Sequence, residues 1–157
     1  MTRHKLGKVH LVAATTGLML IAVFWTSTIV VELSADAAAV AALKQAILWG
    51  MLVLIPAMAA AGATGFRLGG GSRAPVILAK QRRMIAIAAN GLVVLVPSAL
   101  FLAAKARAGQ LDTAFYTVQM IELLAGAANL SLMGLNMRDG FALTKRRRLR
   151  RSVMAAG

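Results

Sequence analysis

The chain has 157 residues, 59% of them hydrophobic and 15% charged, and its 18 Lys and Arg stand against only 5 Asp and Glu. A soluble globular domain of this length carries about a quarter charged residues and breaks its apolar stretches every few positions. Here apolar runs reach 20 residues or more, a pattern that argues against a soluble domain and predicts an integral membrane protein. Because cysteine is absent, disulfides, thiolate metal sites and cysteine nucleophiles are excluded together.

Four spans fit in one transmembrane domain covering residues 1–157. The first is expected over about 9–33. Val9–Leu33 is 25 residues long, whereas a signal-peptide core is about 7 to 15, so the segment reads as an uncleaved membrane helix. The second is expected over 42–65 with Pro56 inside it, and the third over 84–104, bounded by Arg82, Arg83 and Lys105, with Asn90 and Pro97 inside it. The fourth is expected over 114–136, interrupted by Glu122 and Asn129, and a basic tail covers 138–157. The prolines predict kinks rather than breaks, because neighbouring helices can satisfy the freed carbonyls in lipid. Between the second and third spans, Gly65 to Ser72 has the glycine separation of a phosphate loop. It lacks the lysine and a preceding strand, so it reads as a flexible turn.

Lys and Arg number 3 before the first span, 5 between the second and third, and 7 after the fourth, which leaves only Lys44, Lys105 and Arg107 for the other side. By the positive-inside rule both termini are cytoplasmic. Outside connections of about seven to nine residues favour an all-α, up-down-up-down antiparallel four-helix bundle with the first and fourth spans as neighbours. A compact chain without sorting signals points to the bacterial inner membrane. The high net charge is then a topology signal, and nucleic acid is not an expected partner.

Polar residues on the fourth span form one stripe: Gln119, Glu122, Gly126, Asn129, Met133 and Asn136 are spaced by 3, 4, 3, 4 and 3 residues, which puts them on one helix face. That face is expected to point inward, with Gly126 allowing a partner backbone to come close. Glu122 lies roughly 10 Å below the outer end of its span by helical rise. An ionisable group at such depth is costly and marks a functional candidate. At the same depth the other spans offer Thr26, Ser27, Thr28 and the indole of Trp49 as hydrogen-bond partners. Lys44 is a further candidate, though near the outer interface its stem can snorkel outward. Asn90 and Asn129 lie at similar depths from the cytoplasmic side and are expected to pair.

His10 opens a stripe with Ala14, Gly17, Ile21, Phe24 and Thr28 on the first span. No cofactor and no metal site are expected; the alternative is haem b held by His10, with a histidine of a second copy in a dimer, or Met133 or Met137, as second ligand. Lys145, Arg146, Arg147, Arg148, Arg150 and Arg151 in the tail are expected to lie against anionic lipid, at about 1 kcal/mol per cation. No zinc-type histidine spacing, nucleophile elbow or paired intramembrane carboxylates are present, so no catalytic activity is expected. Three functions follow. The first is an accessory, assembly or oligomer-forming subunit of a homo-oligomer or larger membrane complex, acting through helix contacts. The second is a proton- or cation-coupled small-solute transporter using Glu122. The third is a haem-binding electron-transfer bundle using His10.

Overall fold

A computed structural model describes residues 2–34 and 36–156, with side chains described as far as Lys145. The described residues form four long helices and no strand: α1 (Arg3–Ser34), α2 (Ala37–Gly69), α3 (Pro75–Arg107) and α4 (Thr113–Ala156). All four contain windows long and apolar enough to cross a membrane.

The helices outrun the predicted spans because their ends are capped. The Asp36 carboxylate accepts the Ala38 N–H at 2.9 Å to start α2, and Asp112 accepts the Phe115 N–H at 3.0 Å to start α4. Such side-chain acceptors satisfy N–H groups that a first turn leaves unpaired. The connections at the end away from the termini therefore shrink to residues 35–36 and 108–112, shorter than expected. Gly65 to Gly69, read as part of a flexible turn, remain helical. α2 stops only at Gly70, whose φ of 43° and N–H bond to the Phe66 carbonyl end it. Helix α4 likewise runs on through the predicted tail to Ala156. Of the expected lipid-facing cations, Lys145 is exposed; the side chains of Arg146, Arg147, Arg148, Arg150 and Arg151 lie outside the described residues.

Pro56 sits in an uninterrupted α2, on its exposed side. Pro97 follows a π-turn over Gly91–Leu95, in which the Val96 N–H reaches back to the Gly91 carbonyl. A helical proline clashes with the carbonyl four residues earlier, and a wider turn relieves that clash.

Packing runs α1–α2–α3–α4 and back to α1, with no contact across either diagonal pair of backbones. α1 and α2 pack along their length, as do α3 and α4, making two antiparallel hairpins whose mutual seams are thinner. Far from the termini, Val40, Leu102, Ala106 and Phe115 form a tight apolar plug. Ile47, Met51 and Ala99 continue the core below it, and Ile21, Ile87 and Met133 form a third cluster nearer the termini.

Candidate functional site

Below the plug the two hairpins enclose a largely apolar cavity of about 960 Å³ lined by all four helices. His10, Lys80 and Asn136 line it near the termini, Asn129 lies midway, and Thr28 and Glu122 lie at its closed end.

Periodicity brings the closed end together. On α2 the buried residues Val40, Lys44, Ile47 and Met51 are spaced 4, 3 and 4 apart, so Lys44 points inward with the apolar ones. Its Nζ donates to Glu122 Oε2 at 2.7 Å, and the two side chains are only 2% and 14% exposed. Of the two expectations for Lys44, partner of Glu122 or outward-snorkelling stem, the structure shows the first: its spacing on α2 keeps it inside, and the carboxylate compensates its charge. Gln119, 3% exposed, directs its Nε2 to the same Glu122 oxygen at 3.4 Å. Glu32 on α1 completes the group, within electrostatic range of both Lys44 and Glu122. Its Oε1 is buried without a hydrogen-bond partner among the described residues, and so is Gln119 Oε1.

The other partners anticipated for Glu122 do not reach it. Thr26 and Ser27 hydroxyls donate to carbonyls of their own helix, Ala22 and Val23. Trp49 is 67% exposed on the outside of the bundle. Thr28 is buried and lines the cavity, yet makes no bond to Glu122. A different tryptophan is used: Trp25 donates its indole N–H to the Leu123 carbonyl at 2.9 Å and lies against Gly126.

Along α4 the rest of the stripe does face inward. Asn129 Oδ1 accepts from Asn90 Nδ2 at 2.9 Å, and the same Asn90 amide reaches the Ala125 carbonyl at 2.8 Å. Asn136 lies near Arg83 and the Lys80 carbonyl, at 3.3 and 3.4 Å. Asp139 takes its short bond, 2.6 Å, from Arg83 on α3, while its neighbour Arg138 stands 3.6 Å away. The Arg83–Asp139 pair thus clamps α3 to α4, and the helix continues past it.

His10 places Nδ1 3.0 Å from the Ala61 carbonyl and 3.1 Å from Thr64 Oγ1. The carbonyl requires a donor, so Nδ1 carries the proton, and Nε2 keeps its lone pair. Met133 is buried in the third core cluster and Met137 is partly exposed; both line the cavity. Groups of three or more His, Cys, Asp or Glu able to hold a metal do not occur among the described residues.

Glu32 is the member that sequence reasoning missed, although it lies a step of four beyond Thr28 on the inward side of α1. Lys44 carried the same kind of signal in its spacing from Val40, Ile47 and Met51. Comparisons of the chain with protein-family models, curated proteins and solved structures each find no match.

Proposed function

We propose that the chain is a multi-pass protein of the bacterial inner membrane, with both termini cytoplasmic, that works as a proton- or cation-coupled transporter of a small solute. Four helices of spanning length and apolarity support the membrane reading. The orientation rests on 15 of the 18 basic residues flanking the ends of these helices that share a side with the termini.

The transport reading rests on the buried Lys44–Glu122 pair, of which Glu122 lines the cavity at its end below the plug. A buried ion pair is a poor way to stabilise a fold, since well-packed apolar residues of similar size often serve as well or better. Charges retained at such a position fit a binding role. The cavity supplies a space for solute beside them, and Asn129 and Asn136 supply polar groups towards the termini. The test is reconstitution in liposomes with a pH-sensitive dye trapped inside. A proton flux that disappears in Glu122→Gln is expected; flux equal to wild type in that variant removes Glu122 from the role.

A second reading is favoured by His10. A proton on Nδ1 held by a backbone carbonyl leaves Nε2 in the form that ligates iron, and His10 lines the same cavity. Expression with haem supplied gives a visible haem b spectrum under this reading, and a colourless protein ends it. The remaining alternative, an accessory or oligomer-forming subunit acting by helix contact, draws no support from the stripe of α4. The small-residue face at Gly126 is filled by Trp25 from within the chain.

A further inference from the structure

Methionine is sorted by side in this bundle. Met51, Met58, Met84, Met133 and Met137 line the cavity together with His10, whereas Met19 and Met120 are exposed on the outside. Near the termini, His10 of α1 and Met84 of α3 meet over Gly65 of α2. From the point where a side chain on residue 65 would begin, Met84 Sδ and His10 Cε1 each lie 3.1 Å away, so the thioether and the ring edge are no farther apart than twice that distance. The backbones of α1 and α3 do not touch. Their side chains meet because residue 65 has no side chain to separate them.

His10 Nδ1 is engaged by the Ala61 carbonyl at 3.0 Å and the Thr64 hydroxyl at 3.1 Å, and Nε2, next to Cε1 in the ring, has no hydrogen-bond partner among the described residues. Its lone pair and the thioether of Met84 are both neutral donors, and thioethers select soft ions such as Cu(I) over hard ones. Charge points the same way. Among the described residues Glu122 is the only acid of the lining, at the far end, while Lys80 stands at the mouth. Asp139 is taken by Arg83 at 2.6 Å. A divalent ion would meet an ammonium there with no carboxylate to offset it, whereas a monovalent soft ion needs the least compensation.

We propose that His10 Nε2 and Met84 Sδ form a binding site for Cu(I) at the mouth of the cavity. Two further methionines meet at Gly17, two turns along α1 and about 10 Å further in. A Cβ on Gly17 would stand 2.6 Å from Met58 Sδ and 3.8 Å from Met133 Cε. Met51, two turns from Met58 on α2, continues the series towards the closed end. These thioethers give the ion a path of soft donors through an otherwise apolar space. The proposal deepens the transport reading by naming the cation, and it rests on that reading only for the movement of the ion.

The test is an anaerobic titration of the full chain, without a histidine tag, in lipid nanodiscs. Cu(I) kept reduced by ascorbate is delivered from its coloured bicinchoninate complex, and loss of the colour reads its transfer to the protein. One Cu(I) per chain is expected, with sulfur and nitrogen neighbours in its X-ray absorption spectrum. Even the groups that merely orient a ligand are worth about 10–100-fold in metal affinity, so Met84→Leu, which keeps the volume, and His10→Gln should each weaken binding by at least about tenfold. Met19→Leu with Met120→Leu, on the outside, should leave it at the wild-type value.

No transfer to the wild type overturns the proposal, and so does a copper spectrum without sulfur; neither result requires a variant to fold. Unchanged binding in Met84→Leu also overturns it, since the methionines would then only be filling irregular space. A protein purified with haem on His10 does the same. Because the titration is at equilibrium, a protein that binds Cu(I) but shows no flux loses the transport reading and keeps the site. Proton flux without Cu(I) binding keeps transport and overturns the site.

Discussion

The Trp25 indole crosses from α1 to donate to the Leu123 carbonyl, and its ring lies where a side chain on residue 126 would begin. A Cβ built on Gly126 would stand 3.0 Å from Trp25 Cδ1, tighter than ordinary contact. Gly126→Ala should therefore lower thermal stability modestly, while Gly126→Leu, which drives Trp25 off its hydrogen bond, should cost about 1–3 kcal/mol. Thermal unfolding in mild detergent checks this. Equal midpoints for Gly126→Leu and wild type would mean that the α1–α4 seam does not depend on this approach.

Breaking the Lys44–Glu122 pair from one side is expected to be worse than removing it. Lys44→Met leaves a carboxylate uncompensated in the interior and should destabilise by about 3–5 kcal/mol, whereas Lys44→Met with Glu122→Leu should recover most of that loss. A double-mutant cycle on unfolding in detergent reads the difference. A double variant as unstable as the single one would show that the lysine stem, not its charge, is what the fold needs.

The Asn90–Asn129 bond should contribute only modestly. Interhelical hydrogen bonds of this type average about 0.6 kcal/mol in membrane proteins. Asn90→Leu orphans the buried Asn129 Oδ1 and is expected to cost more than the pairwise coupling itself, and Asn90→Leu with Asn129→Leu is expected to be milder than either change alone. The same form of cycle, on helices α3 and α4, measures it.

At the loop between α3 and α4, Asp112 is held below the usual aspartate value of 3.8, chiefly by the hydrogen bond from Lys105 and then by the Phe115 N–H. A depressed folded-state value stabilises the fold above the unfolded-state value, and this contribution disappears as pH falls through the folded one. Unfolding midpoints in wild type should therefore drop on acidification below about pH 4. Asp112→Asn should flatten that part of the profile. An unchanged acid limb in Asp112→Asn would assign it to the other carboxylates.

What could be read in advance was governed by period. Apolar runs and their bounding charges suffice for four helices and their order, because length and hydropathy are local properties. The inward stripe on α4 followed in the same way from steps of three and four. Its partners did not, since depth was matched by counting residues along each span, which cannot say which face Thr26 or Trp49 presents. Extending the α1 stripe from Thr28 would have found Glu32, and the α2 spacing from Val40 would have decided for Lys44 as partner over its snorkelling alternative. The assumption that charges near a span end turn to water overrode that signal. Helix ends were misjudged for a related reason: hydropathy alone does not count the turns that Asp36 and Asp112 add as caps from which helices start.

The π-turn at Gly91–Leu95 accommodates one residue more than a regular helix would. Before it, Arg83, Ile87 and Asn90 face α4; continued at the same pitch, the series would bring Val94, Pro97, Phe101 and Lys105 inward. Beyond it the buried residues are instead Ser98, Ala99, Leu102, Ala103 and Ala106. The wide turn thus acts as a phase shifter. Rewinding it to regular pitch with the same residues would turn a proline, a phenylalanine and a lysine inward and carry Leu102 and Ala106 out of the plug, whereas loss of a single residue there would restore the regular pitch and leave both in place.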